Sequence, residues 1–200
     1  TVTSAELPVN EIFSIQKQRI KNGRSHKRVC IVTGTHGDEL EGQYVCWNLL
    51  QKVQQNLENL DGILEIYPAI NPLGVNAMTR GVPQFDLDMN RIFPGNKNGT
   101  FVEYTAAEII DDLDGADVVV DIHASNIFFT GVPQVRVNVE SVYYLMDLAK
   151  SVNCDFIWVH SAATVLESTL AYSLNSIDTP TLVVEMGVGM RITKEYGDQL

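Results

Sequence analysis

The stretch Asp117-Val118-Val119-Val120-Asp121-Ile122 limits what this chain can become. Its apolar residues lack the polar alternation of a strand with one wet face, so both faces must be covered. Such a strand belongs in an α/β sheet with helices packed on it. Further strands are predicted at 28–33, 63–70, 132–139, 156–160 and 181–185. Helix-period segments are predicted at 40–57, 102–113, 141–152 and 163–174. Strands alternating with helices predict an α/β fold with a mostly parallel central sheet.

The chain has 200 residues, 45% hydrophobic and 20% charged, which is the make-up of one globular domain with a real core. A net charge of −11 argues against a nucleic-acid surface. No apolar run reaches the length of a membrane span, so no membrane partner is expected. The N-terminus lacks the basic and apolar regions of a signal peptide, and the scattered cysteines Cys30, Cys46 and Cys154 fit a reducing compartment. A cytoplasmic location is therefore expected. Cys30 and Cys46 read as small core hydrophobes.

In chain order, residues 1–10 read as a polar lead-in. Residues 12–20 alternate like a strand, and Asn22-Gly23 predicts a hairpin turn into the strand at 28–33. Lys17, Arg19, Lys21, Arg24, Lys27 and Arg28 make this segment basic, as expected of a solvated strand face and a guarded sheet edge. Asp38 and Glu41 have the spacing of a capping box for the helix that follows. Residues 71–100, rich in Gly and Pro, read as a long loop. Their Phe85, Leu87, Met89, Ile92 and Phe93 imply that it is ordered.

Ligands in open α/β sheets collect beyond the carboxyl ends of the strands. Gly34-Thr35-His36-Gly37-Asp38-Glu39 follows the first core strand and places an imidazole and a carboxylate three residues apart. His123 ends the valine-rich strand, and Glu185 closes the strand at 181–185. Taken singly, each has a plain structural explanation: a glycine-rich turn with a cap, a satisfied histidine, a salt-bridged glutamate. Together, His36, Glu39 and His123 make a three-ligand set for one Zn2+ ion with an open fourth position. Glu185 is then the natural general base. Asp121 could orient His123, although strand alternation is read as pointing it to the other face. The loop supplies Arg80 and Asp88-Met89-Asn90-Arg91. These arginines suit holding a substrate carboxylate or stabilising a developing oxyanion; Asn90 beside Arg91 offers a neutral donor to the same carboxylate, and Asp88 a support from behind.

His36-x-x-Glu39, Asp88-Met89-Asn90-Arg91-Ile92-Phe93, Asp121-Ile122-His123 and Glu185-Met186-Gly187 resemble, in order, the motifs of the succinylglutamate desuccinylase/aspartoacylase family, within the zinc carboxypeptidase superfamily. The match runs from about Val29 to Gly189. The resemblance implies a three-layer α/β/α zinc-carboxypeptidase-like fold with a mixed, mostly parallel sheet. It implies a zinc site of His36, Glu39 and His123 and a catalytic Glu185. Arg80 would polarise the scissile carbonyl, and Asn90 with Arg91 would bind a carboxylate. The activity implied is hydrolysis of the amide of an N-acyl amino acid. The alternatives are a metallocarboxypeptidase acting on peptide or peptidoglycan C-termini and a noncatalytic binding module keeping the fold. The expected partner is a small N-acyl amino acid or short peptide, and a homo-oligomer is compatible with the sequence. Family members usually continue into a β-rich C-terminal domain; residues 1–200 are expected to be the catalytic part alone.

Overall fold

A computed structural model of the chain describes residues 1–161 and 166–200. Its elements in order are β1 (Thr3–Glu6), β2 (Ile12–Ile15), β3 (Gln18–Asn22), β4 (Arg28–Thr33), α1 (Glu41–Gln55), β5 (Gly62–Tyr67) and α2 (Pro72–Ala77). There follow α3 (Phe101–Leu113), β6 (Val118–Ala124), β7 (Gly131–Asn138), α4 (Val142–Ser151), β8 (Phe156–His160), α5 (Leu170–Asn175), β9 (Thr181–Gly187) and α6 (Lys194–Gln199). The helix expected over 163–174 begins outside the described residues; within them stand a 3-10 turn at Leu166–Ser168 and α5.

Seven strands form one sheet in the order β3-β5-β4-β6-β9-β7-β8. The β3–β5 and β7–β9 pairings are antiparallel and the other four are parallel. The sheet is thus mixed and mostly parallel, as expected. On one face, Val102, Ile109 and Leu113 of α3 and Leu170 and Leu174 of α5 pack on Cys30, Val32 and Val119. On the other, Val45 of α1 and Leu145 and Ala149 of α4 pack on Ile122, Val135, Leu182 and Val184. Helix, sheet and helix make three layers, with an apolar interior on each side of the sheet. From β4 the chain turns to β5 on one side, and through α3 it later enters β6 on the other. The crevice between β4 and β6 is therefore a topological switch point.

Several expectations need correction. Asn22-Gly23 does not join a hairpin: β5 lies between β3 and β4, antiparallel to the first and parallel to the second. The residues after the turn are held instead by Asp61, whose carboxylate accepts from the backbone N–H of Arg24 and Ser25. A hairpin does exist earlier, in the supposed lead-in, where β1 pairs with β2 as a separate two-stranded sheet. The alternation over 12–20 thus divides into two strands with different partners.

Nor are the basic residues all solvated. Lys17, Arg19 and Arg28 converge on Glu65, which is fully buried in β5. The edge position of β3 does stand. Asp38 does not cap α1, whose cap position is Leu40 with no side-chain bond. Glu41 is buried, and its carboxylate accepts from the Thr193 N–H instead. Residues 71–100 are ordered as expected but carry α2 and a 3-10 turn at Met89–Arg91. Cys30 and Cys46 are buried, and burial pushes both thiols up to about 12. Among the described residues, no helix is long and apolar enough to cross a membrane.

Candidate metal centre and active site

The turn after β4 is shaped by what glycine allows. Gly34 has φ +67, in the left-handed region where side chains are strained. Gly37 lies so close to the backbone of Gly74 in α2 that any Cβ would collide with it. Its N–H donates to the Thr79 carbonyl at 2.9 Å. The turn is thereby pressed onto α2, and His36 and Glu39 face inward at the β4/β6 crevice.

His123 reaches the same point from the carboxyl end of β6. One oxygen or nitrogen from each of His36, Glu39 and His123 lies within 4.8 Å of the others, and all three residues are buried. Glu39 Oε1 is 2.7 Å from His36 Nδ1, and its Oε2 is 2.9 Å from His123 Nδ1. The two Nδ1 atoms are 3.3 Å apart. The Ala124 N–H also donates to Glu39 Oε2.

The other nitrogen of each ring is also committed. His36 Nε2 lies 3.0 Å from Asp88 Oδ1, and His123 Nε2 lies 3.0 Å from Asp121 Oδ2. Asp121 and His123 are two residues apart on a strand and so share a face, contrary to the expectation above. A carboxylate on Nε2 fixes the proton there and leaves Nδ1 as a lone pair. Two lone pairs and a carboxylate then meet in a buried space, an arrangement that favours a cation between them. That cation is a proton on an imidazole or a metal ion, and two imidazoles with one carboxylate are a donor set that suits zinc.

The electrostatics follow from the same contacts. Burial pulls His36 down, but its bonds to Asp88 and Glu39 leave it above the usual imidazole value. Burial likewise opposes His123, yet Asp121 and Glu39 raise it well above that value. Burial would lift Glu39 and Asp88; the histidines hold the first, and His36 with Arg80 the second, well below the usual carboxylate range. Glu185 behaves differently. Burial raises it, and His123 and Arg136 only partly oppose this.

Parallel pairing of β6 with β9 sets Glu185 beside His123 in register. Gly187 ends β9 with φ +69, and a Cβ there would collide with the Glu41 carboxylate, so β9 ends tight against α1. Arg80 donates to Glu39 Oε1 at 3.3 Å and to Asp88 Oδ2. Asp88 also accepts from the Asn90 N–H, so it supports that segment as well as His36. Asn90 is buried, and its Oδ1 accepts from the Leu170 N–H at the start of α5. Arg91 donates to the Asn90 carbonyl.

His36, Glu39, Arg80, Asn90, Arg91, His123 and Glu185 all line one cavity of about 550 Å³. Among the lining residues in strands that sequence reasoning missed are Arg136 and Trp158. A lone arginine within Val135-Arg136-Val137 gives no sign of its partner, because β7 lies antiparallel to β9 through a register that sequence does not show. The segment 125–130, between β6 and β7, passes over the carboxyl end of β9. Ser125 there accepts from the Gly189 N–H, and Phe129 lines the cavity.

A mixed sheet between two helical layers, with a His–Glu–His group at its switch point, defines a carboxypeptidase-like α/β/α protein. The succinylglutamate desuccinylase/aspartoacylase catalytic domain matches residues 25–200, and the chain belongs to that family. It is 35% identical over 94 residues to N-alpha-acetyl-L-2,4-diaminobutyric acid deacetylase of Halomonas elongata, covering 46% of this chain and 26% of the relative. The crystal structure of a succinylglutamatedesuccinylase/aspartoacylase from Rhodobacter sphaeroides aligns with a TM-score of 0.82 at 25% identity, covering 98% of this chain and 59% of that one. The product-bound ectoine utilization protein EutE (DoeB) of Ruegeria pomeroyi shares the fold, with a TM-score of 0.79 at 23% identity over 94% of this chain and 57% of that one. The chain thus spans less than two thirds of the length of these relatives.

Proposed function

We propose that this chain is the catalytic part of a zinc-dependent amidohydrolase that deacylates an N-acyl amino acid. One observation carries the reading. Each histidine commits Nε2 to an aspartate and turns Nδ1 toward Glu39, in the cavity that also holds Glu185. His36, Glu39 and His123 would hold one Zn2+ ion. When bound there, zinc supplies a Lewis acid for the carbonyl and makes water more acidic.

The chain's own groups supply the remainder. Glu185 accepts the proton of the attacking water and passes it to the leaving amine. Its mostly buried side chain, held above the ordinary carboxylate range by burial, suits a group that must take up a proton and then release it. Arg80, at the cavity wall beside Glu39, donates to the oxyanion that develops at the substrate carbonyl. Asn90 and Arg91 bind the carboxylate of the amino acid. The names of the family and of the Halomonas elongata deacetylase favour an acylated amino acid as substrate. The three free cysteines fit a cytoplasmic enzyme.

The test is metal analysis of the purified chain together with hydrolysis of a panel of N-acyl amino acids and short peptides. One zinc per chain and turnover of N-acyl amino acids are expected. Glu185→Gln should keep the zinc and lose about 100-fold or more in kcat. A chain that binds no metal and turns over nothing in the panel would falsify the reading. Turnover of peptides alone would transfer it to a carboxypeptidase.

A further inference from the structure

Among the described residues, Glu185 has one charged partner, and it is a residue with no place in the scheme above. Arg136 NH1 lies 3.2 Å from Glu185 Oε1. The contact follows from strand register. In the antiparallel pair β7–β9, Gln134 faces Glu185 and Arg136 faces Val183, so Arg136 is the diagonal neighbour of Glu185 on the same sheet face. A long side chain spans that diagonal. Arg136 is itself held from its other side. In the parallel pair β7–β8 it stands opposite Trp158, with its guanidinium carbon 5.0 Å from the indole centroid. Trp158 is 49% exposed on an edge strand, and the flat guanidinium is a natural partner for its ring. The Nε of Arg136 is buried without a hydrogen-bond partner among the described residues. The arginine is therefore fixed by the ring and the carboxylate rather than by a network of its own.

We propose that Arg136 is a positioning residue for Glu185: it pins one carboxylate oxygen so that the other is presented to the cavity, and Trp158 is the platform that keeps Arg136 in place. The inference rests on the reading of Glu185 as the general base. A carboxylate free to rotate in a cavity also containing Glu39 and Asp121 would turn to whichever cation is nearest. Pinned through Oε1, it offers Oε2 in one direction. Arg136 touches no reacting atom, so its removal should slow turnover without weakening substrate binding.

The experiment compares Arg136→Ala, Arg136→Lys and Trp158→Leu with the unmodified chain loaded with zinc. Arg136→Ala should keep the zinc content and lose about 10- to 100-fold in kcat, a share of what a general base contributes. KM should stay within about threefold, since ground-state binding is untouched. Added guanidinium ion should restore part of the kcat of Arg136→Ala and leave the unmodified chain unaffected. Arg136→Lys should retain intermediate activity, and Trp158→Leu should lose less than Arg136→Ala. Crystal structures should show Glu185 in one orientation in the unmodified chain and in several in Arg136→Ala. Unchanged kcat in Arg136→Ala, a rise in KM alone, or an unmoved Glu185 would each overturn the inference. If the unmodified chain hydrolyses nothing in the panel, the functional reading falls, while the orientation of Glu185 still decides whether Arg136 positions it.

Discussion

Asp88 and Asp121 decide which way the two imidazoles offer their nitrogens. Neither belongs to the triad, yet each binds the far nitrogen of one of its histidines. Loss of such an outer partner typically weakens metal affinity about 10- to 100-fold. Asp121→Ala should therefore bind zinc more weakly by that factor in chelator competition, with unchanged far-ultraviolet circular dichroism. Unchanged affinity would mean that ring packing alone orients His123. At this scale the sequence was most legible. His36, Glu39, His123 and Glu185 could be picked out because polar groups at the ends of buried strands are unusual. Asp121 can orient His123 because a period of two puts both on one face, so the expectation that alternation separates them fails. Arg136 could not be found, because its meaning lies in a strand pairing.

Strand pairing is where the elements surprised. Alternation in residues 12–20 and the Asn22-Gly23 turn satisfied every local rule for a hairpin, and yet β5 takes the place between β3 and β4. Glu65 gives β5 a hold there, because three basic side chains from both neighbouring strands and the residue before β3 close on it. Tyr67 and Lys17 also reach Asp112 of α3, tying the same cluster to a helix. Replacing Glu65 by Ala would strand Lys17 and Arg28, both mostly buried, and should cost about 3–5 kcal/mol in urea unfolding. Burial raises Glu65, but bonds from Tyr67, Lys17 and Arg19 win and hold it below the ordinary carboxylate range. Its contribution is thus present above the unfolded value of about 4.3 and is lost as pH falls through the lower folded value. Stability should decline on that acid side, and more shallowly in Glu65→Gln. The helix starts were readable in part. Thr100 and Glu103 form the capping box that Asp38 and Glu41 only imitate. The imitation fails because Glu41 is drawn into the interior by Thr193.

At the scale of the whole molecule, the α/β class followed from the valine-rich strand and its covered faces. The exact strand order did not, since the antiparallel insertion of β7 between β9 and β8 leaves no mark in local composition. That order also leaves β8 at the edge with Phe156, Trp158 and Val159 exposed and no charged residue within the strand. An uncharged apolar edge is a template for pairing with another chain. Val159→Lys should lower concentration-dependent light scattering of the purified chain while leaving turnover unchanged. Equal scattering by both forms would show that β8 is not the contact.

The segment 125–130 bridges β6 and β7 across the end of β9, with Phe128 and Phe129 largely exposed and Phe129 on the cavity wall. It joins two strands that are not neighbours, so its length is not dictated by any hairpin geometry. The scaffold can therefore accept a longer, shorter or recoloured rim at this place without disturbing the register of a single strand. Under the deacylase reading proposed above, this arch is the exchangeable part for acyl selectivity, and the sheet beneath it is the chassis.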